Sequence, residues 1–342
     1  MKRFICFGDI HFSSINIWNF EAGEHFIKWF ESQDFGNPDD IEFGFVGDIA
    51  ERDTNPGNVV DQMDRFFNIV SKKAKHTYII VGNHDKKLYH DIEQHSLVFL
   101  QKHKNITVYE KETVETTENG FKILFLPHQR IQGTSLHEYY DSLGEEWTKP
   151  HYDAILGHWN IKEEKGLAWT QQGVDLSRFN ATCMCIGHVH NRTRDEYIGS
   201  IWPNNVDEYN PNRSRGYKVL NEDRTVEFVT MPDFLKYQTI ELGDPAPAKD
   251  ENCAVVYTVK NCVSELEAEE KYPGLNIRGI ERESLFSNTD KVDVTTDGIS
   301  TAFLTDPAEA LDEMIKEMNL TVNRTVYNDL KKLLKKPVEE TA

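Results

Sequence analysis

Val81-Gly82-Asn83-His84-Asp85 is the stretch whose reading decides the fold. It follows residues 77–80, a short run of β-branched and aromatic side chains that predicts a buried strand. An amide, an imidazole and a carboxylate then occupy consecutive positions past the strand's carboxyl end. A turn needs none of these groups, whereas a metal-assisted hydrolytic site has uses for all three. The rest of the chain can be searched for strands that end in the same way.

Four others do. Residues 3–7 end at Gly8-Asp9-Ile10-His11, and residues 43–46 end at Gly47-Asp48. Residues 152–156 end at Gly157-His158, and residues 182–186 end at Gly187-His188-Val189-His190. In layered α/β proteins, sites gather outside the carboxyl ends of strands, so five such tips can share one edge. Between them, residues 16–31 and 59–74 carry apolar side chains at helical spacing, among them Phe26, Ile27, Phe30, Met63, Phe66, Phe67 and Val70. Residues 97–103 read as the end of another helix. Residues 106–109 and 121–126 read as strands flanking a Glu-Asn-Gly turn, and residues 197–201, 217–220 and 226–229 as further short strands.

Near Met231-Pro232 the character changes. Residues 243–248, rich in Gly, Pro and Ala, predict a linker. A strand at 254–259, a helix at 264–271 and a strand at 275–280 make a small β-α-β-like unit, followed by a polar loop at 287–298. Two amphipathic helices are expected at the end of the sequence. Asp306 caps the first, with Pro307 at its first position and Glu309 completing a capping box. The second, from about residue 323 to Lys336, carries Val326, Leu330, Leu333 and Leu334 on one side.

With 342 residues, 39% of them hydrophobic and 28% charged, the chain can bury a full core and is expected to hold more than one domain. The net charge of −19 argues against broad, nonspecific adhesion to nucleic acid, which draws on Lys and Arg at phosphates. It leaves room for a nucleic-acid enzyme, because divalent cations invert the local sign at a carboxylate-rich site. No apolar run approaches the roughly 18 residues that span a bilayer, and no signal-like segment opens the sequence. Five scattered cysteines read as reduced core residues. A cytoplasmic location, in a host cell if the gene is carried by a phage, is therefore expected.

The candidate metal ligands are Asp9, His11, Asp48, Asn83, His158, His188 and His190. Oxygen and imidazole without thiolate suit manganese, iron or zinc better than a structural cysteine–zinc site. Seven ligands exceed one ion. They fit two divalent ions about 3.5–4 Å apart, an arrangement used for in-line attack at phosphorus. His84 is then left as a non-ligand imidazole able to protonate the leaving oxygen, with Asp85 expected to orient its ring. Glu51, Arg52, His128 and Trp202 are candidates for substrate contact. Each also has a plain explanation as a turn, core or surface residue.

Taken in order, Asp9-Ile10-His11, Gly47-Asp48, Gly82-Asn83-His84-Asp85, Gly157-His158 and Gly187-His188-Val189-His190 resemble the signature of calcineurin-like metallophosphoesterases over about residues 3–232. The resemblance implies an α/β (α+β) fold, a four-layer sandwich of two mixed β-sheets flanked by helices. It implies one metal on Asp9, His11, Asp48 and His190 and another on Asp48, Asn83, His158 and His188. A narrower resemblance, to SbcD-type DNA double-strand-break nucleases including the phage recombination subunits, rests on Leu126-Pro127-His128, on Tyr197-Ile198-Gly199-Ser200-Ile201-Trp202-Pro203 and on Arg215-Gly216-Tyr217. Several of those nucleases carry His or Asp three residues after the metal-binding aspartate, where this chain has Glu51.

This resemblance implies a nuclease domain at 1–235, a capping domain and linker at 236–298, and a helical element at 299–342 that docks an SbcC-type coiled-coil ATPase. It also implies a homodimer acting on DNA in repair, recombination or replication, with Mn2+ preferred over Mg2+, Fe2+ or Zn2+. Two rival readings are a phosphatase or small-molecule phosphodiesterase on the same scaffold, and a non-catalytic scaffold that binds DNA ends or a partner.

Overall fold

The structure is a computed structural model that describes residues 1–52, 55–86, 95–129, 134–162, 173–262 and 264–281. The expected loop at 287–298 and the two terminal helices lie outside these residues.

Four parallel strands form the centre of the first sheet: β1 (Arg3–Phe7), β2 (Ile41–Phe45), β3 (His76–Ile80) and β4 (Ile106–Tyr109). The second sheet comprises β5 (Thr113–Thr116), β6 (Lys122–Leu126), β7 (His151–His158) and β8 (Asn180–Gly187), in that order, with β6, β7 and β8 parallel. The antiparallel strands β9 (Gly216–Asn221) and β10 (Val226–Thr230) extend the first sheet to the order β10-β9-β1-β2-β3-β4. Both sheets are therefore mixed. Parallel strands covered on both faces should be apolar throughout, and β1 from Phe4 to Phe7 is buried at every position.

The alternation of side chains assigns each face a partner. Phe4 and Cys6 of β1 face the space between the sheets, packed with Phe125, Leu156, Cys183 and Cys185. Ile5 and Phe7 face outward against α1 (Ile17–Ser32) and α2 (Gly57–Lys73), which present Phe26, Phe30, Phe66 and Phe67. On the far side of the second sheet, Leu124, Leu126 and Ile155 pack with Tyr140 of α3 (Leu136–Asp141) and with Trp159. Helices, sheet, sheet and helix make the four expected layers. All five cysteines are free and buried.

Some local expectations fail. Residues 197–201 are not a strand, and only Tyr197 bridges to Ile186. The 97–103 segment is a 3-10 helix, Ser96–Lys102. The hairpin partner of β6 is β5, whose short, half-exposed Thr-Val-Glu-Thr run carries too little apolar signal to be noticed. The residues expected to flank the turn, 106–109 and 121–126, belong to different sheets. Trp202 is fully buried, with ring centroids 6.0 Å from Phe12 and 5.9 Å from Phe26. It is a core side chain and is not available to stack on a base.

The described chain forms two compact units: residues 1–238 with 246–257, and residues 239–245 with those from 258 onward. A three-stranded sheet in the order β11 (Leu235–Glu241), β12 (Ala254–Lys260), β13 (Asn276–Glu281) completes the strands, and α5 (Glu265–Lys271) precedes β13; α4 is the single turn Glu145–Thr148. In the second unit Val259, Cys262, Ala268 and Tyr272 form a small separate core. Among the described residues no helix is long and apolar enough to cross a membrane.

Candidate metal centre

Parallel strands place their carboxyl ends on the same side, so the tips of β1, β2 and β3 and those of β7 and β8 deliver their side chains together. Three groups of donor atoms result, each with its atoms within 4.8 Å of one another: Asp9, His11 and His190; Asp48, His158 and His188; and His11, Asp48 and His84. Asn83 joins the second group, its Oδ1 lying 2.9 Å from both His158 Nε2 and His188 Nδ1. All seven expected ligands and His84 thus converge.

The backbone is bent to achieve this. His11, Asp48 and His188 adopt φ values of 57°, 47° and 80°, in the left-handed region that non-glycine residues rarely enter. Such strain is held only where the surroundings over-determine it. Here the His84 amide donates to Asp48 Oδ1 and the His188 amide to Asp9 Oδ2, each at 2.8 Å, while the Ile10 and His11 amides both donate to the Asp48 carbonyl. Gly82 allows the approach: a Cβ there would collide with the Asp48 carboxylate and amide.

Whether cations fit can be judged from the imidazoles. His11 Nδ1 lies 2.8 Å from Glu51 Oε2, His190 Nδ1 3.0 Å from Glu208 Oε1, and His158 Nδ1 2.7 Å from the Val46 carbonyl. In the neutral ring an acceptor beside Nδ1 favours the proton there, which leaves Nε2 with a lone pair; for His11 the Glu51 carboxylate lies close to an Nδ1 that has no hydrogen-bond partner. Yet His11 Nε2 and His190 Nε2 stand 3.0 Å apart, and His158 Nε2 is 3.1 Å from Asp48 Oδ2. Opposed acceptors repel, and a cation between them removes the conflict. Asp9 Oδ1 is buried with no hydrogen-bond donor. The donor set therefore fits divalent metal.

Without metal, protons take up part of that role. Burial pulls His11 down, but Glu51, Asp48 and Asp9 outweigh it and hold the ring up at about 9. His158 is likewise lowered by burial and raised by Asp48 and Asp9, to about 9. Burial pushes Asp48 up, but His158 and His11 bring it far below the usual carboxylate range. For Asp9 burial prevails and the carboxyl is raised. His188, buried and beside His158, falls to about 3.

The remaining candidates divide. His84 is 37% exposed at its side chain and its Nδ1 is 2.7 Å from the Glu51 carbonyl. Asp85 does not orient His84 as expected. Its carboxylate is fully buried and accepts from the amides of Ile49, Ala50 and Gly82, joining the β2 and β3 tips. Glu51 Oε2 faces the ligand His11 at 2.8 Å, and its side chain is 23% exposed. Arg52 is exposed. His128 sits beside the site, ring centroid 6.2 Å from His158, and burial lowers it to about 4. Arg215 is half-buried and donates to the Ser200 hydroxyl and the carbonyls of His190, Ser200 and Glu208. It buttresses the His190 loop. Glu208 was not anticipated. It lies in a 3-10 turn, Val206–Glu208, inside a polar loop, and no local periodicity marks it.

Two mixed sheets in a four-layer sandwich, with oxygen and imidazole donors gathered at their strand tips, define a metallophosphoesterase. The calcineurin-like phosphoesterase family matches residues 2–192, more than half the chain, and the protein belongs to that family. Among solved structures, the chain is similar to a protein of unknown function, AQ665 from Aquifex aeolicus. The two are 14% identical, with a TM-score of 0.30, over 58% of this chain and 91% of the other. Comparison with curated proteins gives no match.

Proposed function

We propose that the protein is a metal-dependent DNA nuclease, the nuclease subunit of an SbcCD-like complex. The observation that carries the catalytic part is the pair of opposed His11 and His190 nitrogens, 3.0 Å apart, in one cluster with Asp48 and the partly exposed His84. The DNA part rests on the segment from Tyr197 to Pro203 and on Arg215, whose likeness to the nucleases was noted above. In this chain that segment backs the site: the Ser200 amide donates to the His190 carbonyl and the Ile201 amide to the Asp9 carbonyl.

Asp9, His11, Asp48 and His190 would hold one divalent ion and Asp48, Asn83, His158 and His188 the other. Bound there, such ions supply positive charge for the phosphoryl oxygens and lower the pKa of water. Asp48 would belong to both sets, and its carboxylate groups with His11 and His84 as well as with His158 and His188. His84 has its Nδ1 committed to the Glu51 carbonyl, so Nε2 is the atom available to give a proton to the leaving oxygen. Manganese is the preferred ion in this reading. Residues 236–298 act as a capping domain, residues 299–342 dock the coiled coil of an ATPase, and the chain forms a homodimer in the cytoplasm.

The test is hydrolysis by purified protein with Mn2+, alone and with the ATPase, on single- and double-stranded DNA, phosphomonoesters and cyclic nucleotides. DNA cleavage is expected, reduced about 10²–10⁴-fold in His84→Ala, the usual span for loss of a general acid. Equal cleavage by the variant removes His84 from the mechanism. Turnover confined to small esters transfers the assignment to a phosphatase or small-molecule phosphodiesterase. Inertness toward every substrate, with the ATPase present, leaves the scaffold reading.

A further inference from the structure

The two halves of the centre are not built alike. In the Asp9–His11–His190 group both imidazoles are backed at Nδ1 by a carboxylate, Glu51 Oε2 at 2.8 Å and Glu208 Oε1 at 3.0 Å. In the Asp48–His158–His188 group, the Nδ1 of His158 is backed by the neutral Val46 carbonyl, and the fourth donor is the neutral amide of Asn83. A carboxylate behind an imidazole does two things. It fixes the proton on Nδ1, the nitrogen beside it, and makes Nε2 a stronger donor to a cation.

The Glu208 carboxylate and the Glu51 backbone are each fastened. Glu208 accepts from the Asn204 amide at 2.9 Å and the Asn205 side-chain amide at 2.7 Å, and its carbonyl accepts from Arg215. Arg215 also donates to the His190 carbonyl, so the histidine and the Glu208 backbone are clamped by one half-buried guanidinium. Glu51 is tied through its amide to the Phe12 carbonyl, one residue past His11, and through its carbonyl to His84. The Glu208 carboxylate cannot swing toward substrate without releasing its bonds to Asn204 and Asn205, and the fixed Glu51 backbone keeps its carboxylate 2.8 Å from His11 Nδ1.

We infer that Glu51 and Glu208 are positioning residues that make the Asp9–His11–His190 half of the centre the tighter of two divalent-cation sites, so that it fills first. The inference rests on the reading of this cluster as a metal centre but not on DNA being the substrate. The local charges agree with it. Asp9, Glu51 and Glu208 all lie on the first half, and Asp48 is shared.

The test is calorimetric titration of chelator-treated full-length protein with Mn2+, without DNA. The wild type is expected to show an early, tighter binding event. Glu208→Ala and Glu51→Ala should each weaken that event about 10–100-fold, the usual cost of losing a ligand's outer partner. Glu208→Gln and Glu51→Gln, whose amide oxygens can still accept from Nδ1, should recover part of the loss. Asp207→Asn, an exposed change in the same turn as Glu208, should bind as the wild type does. Far-ultraviolet circular dichroism of each metal-free variant separates lost affinity from lost folding, and the glutamine variants keep the comparison intact if an alanine variant unfolds. Unchanged affinity, weakening confined to the later event, or absence of Mn2+ binding by the wild type would overturn the inference. Failure to cleave DNA with the affinity pattern intact would overturn the nuclease reading alone.

Discussion

Glu42 shows how a single buried carboxylate can act against the fold that contains it. It lies in β2, has no exposed surface, and accepts from the Asn119 amide at 3.0 Å, while its second oxygen is buried without a donor. Burial raises its pKa above the ordinary glutamate value. A group whose folded pKa exceeds its unfolded one stabilises the fold while protonated, and this contribution is lost as pH rises through the folded pKa. Glu42→Gln, which keeps the accepting oxygen and removes the charge, should therefore raise the melting temperature at pH 8. The gain should shrink toward pH 4, where wild-type Glu42 is itself increasingly protonated. Thermal melts of both proteins across that range check it, and a pH-independent gap would contradict the argument. The same scale explains what a sequence hides. Asp9, Asp48 and His190 follow strands and announce themselves by position, whereas Glu51 and Glu208 act on histidines through space and carry no such signature.

At the scale of elements, the strand tips are more legible than the joints between them. β1, β2, β3 and β7 are mostly buried runs, β8 is buried from Cys185 to Gly187, and each leads into glycine and a polar ligand that can be read locally. Segment 197–201 looks like a strand because Tyr197, Ile198 and Ile201 are apolar, but they are buried by packing behind the site while their backbone serves Ile186, His190 and Asp9. Asp85 belongs to this scale as well. Adjacency to His84 suggests a catalytic partner, yet the three amides that it accepts from are those of Ile49, Ala50 and Gly82, so it is a staple between two tips. Removing it leaves three buried donors unsatisfied, at about 1–3 kcal/mol each. Asp85→Ala should thus cost at least about 3 kcal/mol in urea unfolding and should displace Asp48, lowering Mn2+ affinity. Asp85→Asn, which retains one accepting oxygen, should cost less. A destabilisation below about 1 kcal/mol in the alanine variant would show that the loops hold without the staple.

Across the whole molecule, 57 acidic side chains stand against 38 basic ones, and the metal centre concentrates part of that excess in buried positions. Divalent ions relieve repulsion there and bind a site that the unfolded chain lacks, so metal affinity becomes folding stability. At a free concentration one hundred times its dissociation constant, one ion adds about 2.7 kcal/mol. For a unit of this size each kcal/mol moves the melting temperature by roughly 2–4 °C, so one ion should raise it by about 5–11 °C. The two compact units need not melt together, and the effect belongs to the one that carries the strand tips. Tryptophan fluorescence reports it selectively, because Trp18, Trp29, Trp147, Trp159, Trp169 and Trp202 all lie within residues 1–238. Saturating Mn2+ should therefore raise the fluorescence-detected transition and EDTA should reverse it. Asp48→Asn, which weakens both halves of the centre at once, should lose most of the rise. A transition indifferent to Mn2+ in the wild type would mean that the opposed nitrogens of His11 and His190 are reconciled by protons alone.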